Sequence, residues 1–224
     1  MVDDLAEYAA NFPEMGGASI GPWLTEYAAD TSSDIVEIGT WLGAGTAHLA
    51  LGARQSGARI HTFDRFEATD ETVRKATPYG LNFALRDNTL PHVRAQLKPF
   101  GADIVFHKAD LFDATWSGAP IGVYVDDAAK GPQLWAHVMR TFAPSWVDGC
   151  LVVLMDYYYY RKWERQGVKS KARKFRRQRE FVEARPRQFE QIADQLAGRS
   201  NAVFRYHKRR WWHVGWDEPD VDDV

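Results

Sequence analysis

The segment Asp34–Ala50, DIVEIGTWLGAGTAHLA, joins an apolar run to a helical pattern through three glycines. The run DIVEI (34–38) reads as a buried strand, and Gly39, Gly43 and Gly45 follow it with GxxxGxG spacing. Glycine tolerates positive φ and lets a ligand approach the backbone, so a strand, a glycine turn and a helix start in this order indicate a nucleotide site. The spacing alone fits more than one class of nucleotide cofactor.

Length and composition predict a single domain that spans residues 1–224. A chain of 224 residues that is 45% hydrophobic can bury one sizeable core. The single cysteine, Cys150, excludes an intrachain disulfide, and no Cys/His cluster has the spacing of a zinc site. The N-terminus lacks a signal-peptide pattern, and no apolar run approaches the roughly 18 residues of a membrane span. We therefore expect a cytoplasmic protein without a membrane partner. These features leave the oligomeric state undetermined, and a homo-oligomer is compatible with them.

Short apolar runs alternate with helical patterns, which predicts βαβ units and a parallel sheet of the α/β class. Aromatic segments follow at 202–207 and 210–216 and predict an antiparallel hairpin at one side of the sheet. The weakly patterned segment 67–91 predicts an insertion that covers the site. The predicted strands are 34–38, 59–63, 103–107, 121–126 and 150–156, and the predicted helices are 46–55, 89–98, 133–141 and 174–196.

Three acidic residues near strand ends discriminate between the cofactor classes. Asp64 ends the second strand, where a carboxylate can accept hydrogen bonds from ribose hydroxyls, and Asp110 follows the third, within reach of an adenine amino group. Glu37, two residues before Gly39, would repel a pyrophosphate but attract the ammonium of a methionine tail. The pattern therefore favours S-adenosylmethionine, which carries no phosphate.

An NAD(P)-dependent oxidoreductase of the short-chain type is one alternative. Tyr158 to Lys162 supplies a YxxxK spacing, and Ser145 lies 13 residues upstream of the tyrosine. In that class the serine ends a strand and the tyrosine lies in the following helix, whereas here the predicted strand 150–156 falls between them. This order disfavours the oxidoreductase.

The stretch EIGTWLGAGT (37–46) resembles the E/D-x-G-x-x-x-G-x-S/T motif of class I S-adenosylmethionine-dependent methyltransferases, particularly small O-methyltransferases of the catechol, caffeoyl-CoA and macrocin types. The resemblance continues through Asp64, Asp110 and the closing hairpin. It implies a Rossmann-like, doubly wound seven-stranded sheet and methyl transfer to a small-molecule hydroxyl. The predicted cofactor contacts are Glu37, Gly39, Thr40, Trp41, Gly43, Gly45, Thr46, Asp64, Arg65, Asp110, Leu111 and Asp126.

Carboxylates also converge at the ends of the fourth and fifth strands. Asp126, Asp127 and Asp156 are expected at the rim of the glycine turn, where they repel one another unless they share a cation. Mg²⁺ prefers oxygen ligands and can activate a hydroxyl, so a magnesium ion is expected at these carboxylates. The spacing Asp127-Ala-Ala-Lys130 resembles the DxxK of metal-dependent O-methyltransferases. This resemblance implies that Asp127 and Asp156 bind the metal and that Lys130 is the general base. Tyr157 stands where these enzymes place Asn or a further carboxylate.

The predicted substrate contacts are Tyr157 and Tyr158, as pocket walls, and Trp23, as a residue that closes the site from the N-terminal side. The segment from Arg161 to Arg187 contains twelve Lys or Arg residues and three Glu residues. It therefore carries a net charge of +9, and the rest of the chain carries −11. Such a run is typical of a solvated helix face and also of a surface for anionic ligands. A small-molecule acceptor, including an anionic one, is the favoured partner. An RNA methyltransferase that uses residues 161–187 is the other alternative, although no RNA-binding module accompanies the segment.

Overall fold

The computed structural model describes residues 4–14, 20–194 and 200–208. Its strands are β1 (Asp34–Ile38), β2 (Ile60–Asp64), β3 (Ile104–Lys108), β4 (Ile121–Asp126), β5 (Trp146–Leu154), β6 (Phe189–Asp194) and β7 (Ala202–Tyr206). Its helices are α1 (Leu5–Ala10), α2 (Gly21–Ala29), α3 (Ala44–Ser56), α4 (Asp70–Ala76), α5 (Leu90–Leu97), α6 (Pro132–Phe142), α7 (Tyr160–Arg165) and α8 (Lys169–Glu183).

The strands form one seven-stranded sheet in the order β3-β2-β1-β4-β5-β7-β6. The first five strands are parallel, and β7 runs antiparallel to both of its neighbours, β5 and β6. The chain moves outward from β1 to β3 and then returns to β4 on the other side of β1. This reversal opens a crevice beyond the carboxyl ends of β1 and β4, where ligands bind in such sheets. The predicted doubly wound seven-stranded sheet with a reversed strand is confirmed.

Helices cover both faces of the sheet, because its central strands are apolar on both sides. All six residues of β4 are buried. One core cluster includes Val138 and Phe142 of α6 and Val182 of α8, and a second includes Leu24 of α2 and Leu49 of α3. Burial on both faces is typical of parallel sheets and explains the near-continuous apolar runs.

The C-terminal part of the chain corrects two expectations. The predicted helix 174–196 is wrong beyond Glu183, where α8 ends, because Pro186 follows and residues 189–194 form the edge strand β6. Charged and polar residues make β6 look helical in sequence, while its pairing with β7 supplies the backbone hydrogen bonds. The segment 202–207 does become a hairpin strand, with β6 as its partner. The predicted partner, 210–216, lies outside the described residues.

The predicted insertion between β2 and α5 is a loop closed at its base. Glu67 and Asn88 form an antiparallel bridge, and the Thr89 amide donates to the Phe66 carbonyl at 3.0 Å. The loop carries the short helix α4. Elsewhere, no helix in the described ranges is long and apolar enough to cross a bilayer.

Candidate active site

The glycine turn lies between β1 and the first turn of α3. Gly39 and Gly43 have φ values of 95° and 92°, which residues with a side chain rarely adopt. A Cβ added to Gly39 would lie 3.1 Å from the Cβ of Ala128, in the turn after β4. The Gly39 amide also donates to the Phe63 carbonyl of β2 at 2.9 Å. The ends of three neighbouring strands therefore meet around a turn that has no room for a side chain at Gly39.

Glu37 lies beneath this turn with only 3% of its surface exposed. Its Oε2 accepts hydrogen bonds from Thr46 of α3 and from Thr62 of β2, the latter at 2.7 Å. A Cβ on Gly45 would collide with its Oε1. Burial raises the pKa of Glu37 from 4.5 to about 7, and the two threonine hydrogen bonds oppose that rise. The carboxylate thus ties β1, β2 and α3 together and places negative charge under the turn when it is ionised.

Asp64 connects the glycine turn to the loop after β2. Its Oδ2 accepts from the Trp41 amide at 2.9 Å, and its Oδ1 accepts from the Phe66 amide at 2.7 Å. Burial raises the pKa of Asp64, and these backbone hydrogen bonds counteract the shift. The Trp41 indole donates to Thr72 of α4 at 3.1 Å, so it joins the turn to the closed loop. Each carboxylate oxygen keeps a further lone pair for a ribose hydroxyl.

The other predicted cofactor contacts lie on the same rim with different exposure. Thr40 is buried and its hydroxyl is hydrogen-bonded to Thr62, whereas Arg65 is exposed after β2. Asp110 follows β3 and uses Oδ1 to accept from the Phe112 amide at 3.0 Å, and Leu111 is 9% exposed beside it. The structure therefore brings the predicted residues after β1, β2 and β3 to one edge of the sheet, with Asp110 and Arg65 open to solvent.

Asp126 is fully buried and shapes the turn after β4. Its Oδ1 accepts from the amides of Ala128 at 3.0 Å and Ala129 at 2.8 Å, and its Oδ2 accepts from the Tyr124 hydroxyl at 3.3 Å. The next amide, of Asp127, donates to the Ile38 carbonyl at 2.8 Å. Asp126 thus holds the turn against the end of β1, a structural role in addition to the predicted cofactor contact.

The pairing of β4 with β5 brings Asp127, Lys130 and Asp156 together, as the sequence predicts. The Lys130 ammonium donates to the Met155 carbonyl at 2.7 Å. It lies 3.6 Å from Asp127 Oδ1 and 3.6 Å from Asp156 Oδ2. The side chain of Lys130 is only 12% exposed, whereas those of Asp127 and Asp156 are 42% and 37% exposed. An ammonium group therefore separates two carboxylates that face the solvent side of the rim.

These residues do not fit the predicted magnesium ion. A magnesium ion bound to the two oxygens nearest Lys130 would lie about 2.1 Å from each, while the Lys130 ammonium already lies 3.6 Å from both. Within residues 4–14, 20–194 and 200–208, no group of three or more His, Cys, Asp or Glu side chains is arranged to hold a metal. The charge of the Asp127 and Asp156 pair is offset by Lys130 instead.

The predicted substrate residues separate into two places. Tyr157 is buried against Phe204, whereas the Tyr158 hydroxyl accepts from Gln191 at 3.0 Å. Both tyrosines line a groove of about 270 Å³ next to α8. Arg161 of α7 also lines this groove. Trp23 packs against the core cluster that contains α3, on the other face of the sheet. The structure therefore does not bring Trp23 together with the tyrosines.

The groups that an oxidoreductase would need are far apart. Ser145 immediately precedes β5, and Tyr158 follows the other end of this nine-residue strand, a separation of about 30 Å at 3.3 Å per residue. The Lys162 ammonium donates to Tyr159 at 2.9 Å rather than to Tyr158. The YxxxK spacing is a by-product of four consecutive tyrosines.

The basic segment forms α7, α8 and the start of the following loop. Each of its three glutamates pairs with an arginine of α8, in the pairs Glu164–Arg176, Glu180–Arg177 and Glu183–Arg179. The helix buries Ala172, Gln178 and Val182, and its lysines are exposed. The excess positive charge is therefore on the solvent face, as expected for a solvated helix.

Two residues near the predicted sites have roles that the sequence did not suggest. Thr62 is fully buried and pairs with Glu37 across the β1–β2 register, and Asn201 accepts from the Asp156 amide at 3.2 Å. Thr62 belongs to an apolar strand, and its only sequence signal is polarity at a core position. Asn201 lies 45 residues from its partner, so only the placement of β7 beside β5 reveals the contact.

Comparison with known proteins agrees with this geometry. A family model described as a methyltransferase domain matches residues 36–157, which include the glycine turn, Asp64 and the Asp127–Lys130–Asp156 group. The chain belongs to this family. The predicted class, S-adenosylmethionine-dependent methyltransferase, is confirmed. No curated protein sequence matches the chain significantly.

Solved structures share the fold of this methyltransferase at low sequence identity. The O-methyltransferase NovP is 13% identical with a TM-score of 0.58, over 84% of this chain and 79% of its own. The TDP-rhamnose 3'-O-methyltransferase CalS11 of calicheamicin biosynthesis is 18% identical with a TM-score of 0.56, over 84% and 78%. An O-methyltransferase from Bacillus cereus in complex with SAH is 17% identical with a TM-score of 0.54, over 91% and 90%. At these identities the similarity establishes the fold.

Proposed function

We propose that this enzyme transfers a methyl group from S-adenosylmethionine to a hydroxyl group of a small molecule. The observation that carries the proposal is the acidic glycine turn, where Glu37 lies under the backbone and Asp64 lies beside it. A negative rim suits a cationic cofactor and would repel a pyrophosphate. The similarity of the fold to O-methyltransferases, one of them in complex with SAH, supports both the cofactor and the hydroxyl acceptor.

Each group at the turn has a role in holding the cofactor. Gly39, Gly43 and Gly45 leave the backbone open to it, and Asp64 accepts hydrogen bonds from the ribose hydroxyls. Asp110 accepts from the adenine amino group, and Glu37 provides negative charge for the methionine end. When bound, S-adenosylmethionine supplies an electrophilic methyl group, so the chain has to align the acceptor oxygen and remove its proton.

The acceptor side of the reaction is assigned to Asp127, Lys130 and the tyrosines after β5. Asp127 has an exposed carboxylate that can take the hydroxyl proton, while the Lys130 ammonium stabilises the negative charge that develops on the acceptor oxygen. Tyr157 and Tyr158, which directly follow Asp156 in sequence, are assigned to the wall beside this group. No step depends on magnesium. The acceptor is a phenol or a sugar, and a sugar is the substrate class named for CalS11. The exposed cations of α8 favour an acceptor that carries negative charge. A reducing cytoplasm suits the single buried cysteine of this enzyme.

Incubation with methyl-labelled S-adenosylmethionine and separate pools of phenols, nucleotide sugars and RNA tests the proposal. We expect label in a small molecule, on oxygen, and its loss in Asp127→Asn. Label in RNA instead would favour the alternative in which the basic face of α7 and α8 binds phosphates, and this binding would weaken steeply as salt increases. Absence of transfer to every pool, together with binding of NADH, would contradict the proposal.

A further inference from the structure

We infer that Lys130 acts as a built-in cation between Asp127 and Asp156, in place of a divalent metal. The inference rests on the proposed function, because it concerns the side of that site where the acceptor binds. It means that methyl transfer by this chain is independent of added metal. It also means that Lys130 orients the two carboxylates and does not remove the proton itself.

The position of the ammonium carries the inference. Lys130 Nζ lies 3.6 Å from one oxygen of Asp127 and 3.6 Å from one oxygen of Asp156, and its third partner is the Met155 carbonyl at 2.7 Å. These three oxygens come from two strand ends, and the Lys130 ammonium lies within 3.6 Å of each of them. The side chain is 12% exposed, so most of its surface is covered by the rim.

Backbone contacts hold Asp127 and Asp156 at their positions beside the lysine. Asp156 has φ of 66°, a left-handed conformation that is uncommon outside glycine, and its amide is held by Asn201. Asp127 and Lys130 lie on the turn that buried Asp126 holds through the amides of Ala128 and Ala129. These contacts fix the backbone of Asp127 and Asp156, and Lys130 lies between their side chains.

Electrostatics disfavours a metal at the same place. A divalent cation in contact with both carboxylates would lie next to the Lys130 ammonium, and like charges at that distance repel strongly at the low effective dielectric of a partly buried site. The residue after Asp156 is Tyr157, whose side chain offers no carboxylate or amide oxygen for octahedral coordination. One lysine offsets one of the two carboxylate charges and leaves the group with a net charge of −1.

Titration with Mn²⁺, monitored by electron paramagnetic resonance, tests the inference without a turnover assay. We expect no saturable binding to the wild-type chain. Lys130→Ala removes the ammonium and is expected to bind Mn²⁺ saturably, at least about tenfold more tightly than the weakest binding the titration detects, and a further Asp156→Asn change should abolish that gain. Lys108→Ala, which removes an exposed lysine at the end of β3, is the matched control and should behave like the wild type. Lys130→Arg keeps the positive charge and should also exclude Mn²⁺.

Two results would overturn the inference: saturable Mn²⁺ binding by the wild-type chain that Asp156→Asn removes, or no gain of binding in Lys130→Ala. If Lys130→Ala does not fold, Lys130→Gln provides the same comparison. Calorimetry of SAH binding to the wild type in the presence of EDTA is run in parallel. If the wild type does not bind SAH even in the absence of EDTA, the proposed function is refuted. If it binds SAH without EDTA but not with EDTA, only the metal-free site is refuted.

Discussion

Replacing Glu37 by Gln is expected to change how stability depends on pH. Glu37 is buried, and burial raises its pKa from 4.5 to about 7. When the folded pKa lies above the unfolded one, the unfolded chain loses its proton first, so the free energy of unfolding falls as pH rises from 4.5 to about 7 and then levels off. With these two pKa values, the wild type loses about 2.5 kcal/mol between about pH 5 and pH 8 through this group. Gln cannot ionise and loses none of it.

Urea unfolding of both proteins at the two pH values measures the difference. Asp64 and Asp127, whose charges act on Glu37, are present in both proteins, so their own titration cancels to first order. Glu26→Gln, an exposed carboxylate on α2, is the control and should follow the wild type. The same loss of stability in Glu37→Gln as in the wild type would refute the assignment of this pH dependence to the carboxylate under the glycine turn.

Three further predictions concern Thr62, Gly45 and the buried Cys150. Thr62→Val removes a hydrogen bond to Glu37, so we expect a loss of about 1–3 kcal/mol in urea unfolding near pH 8 and a smaller loss near pH 5; equal losses would contradict a role tied to the ionised carboxylate. Gly45→Ala forces a methyl group against Glu37 Oε1, and calorimetry should show SAH affinity reduced at least about tenfold, whereas unchanged affinity would show that the turn tolerates the collision. Cys150 is fully buried and burial raises the pKa of its thiol, so a thiol reagent should label it only in urea; rapid labelling of the native chain would contradict that burial.

The sequence predicted the half of the sheet that builds the cofactor site, because buried parallel strands produce continuous apolar runs. β1 and β4 have the predicted bounds, Asp64 ends β2, and Asp110 follows β3, as expected. The error at 189–194 arose because an edge strand needs only one paired side, so its sequence can be as polar as that of a surface helix.

The contacts within the site depend on the register between strands and on which group, a metal or an ammonium, lies between the two carboxylates. Sequence patterns reveal neither. Thr62 meets Glu37 because β1 and β2 pair in one particular register. The convergence of Asp127 and Asp156 follows from parallel strands and was predicted. The position of Lys130 between them depends on a turn held by a buried aspartate, and spacing alone is compatible with either a metal or an ammonium there.

The central claim, a site for S-adenosylmethionine at the glycine turn, is tested most directly by calorimetry with SAH. The wild type should bind SAH at one site. Asp64→Asn keeps the shape of the side chain but removes the negative charge of the carboxylate that accepts hydrogen bonds from the ribose hydroxyls. It should weaken SAH binding at least about tenfold, or about 1.4 kcal/mol. No binding of SAH to the wild type, or equal affinity in the two proteins, would contradict the account.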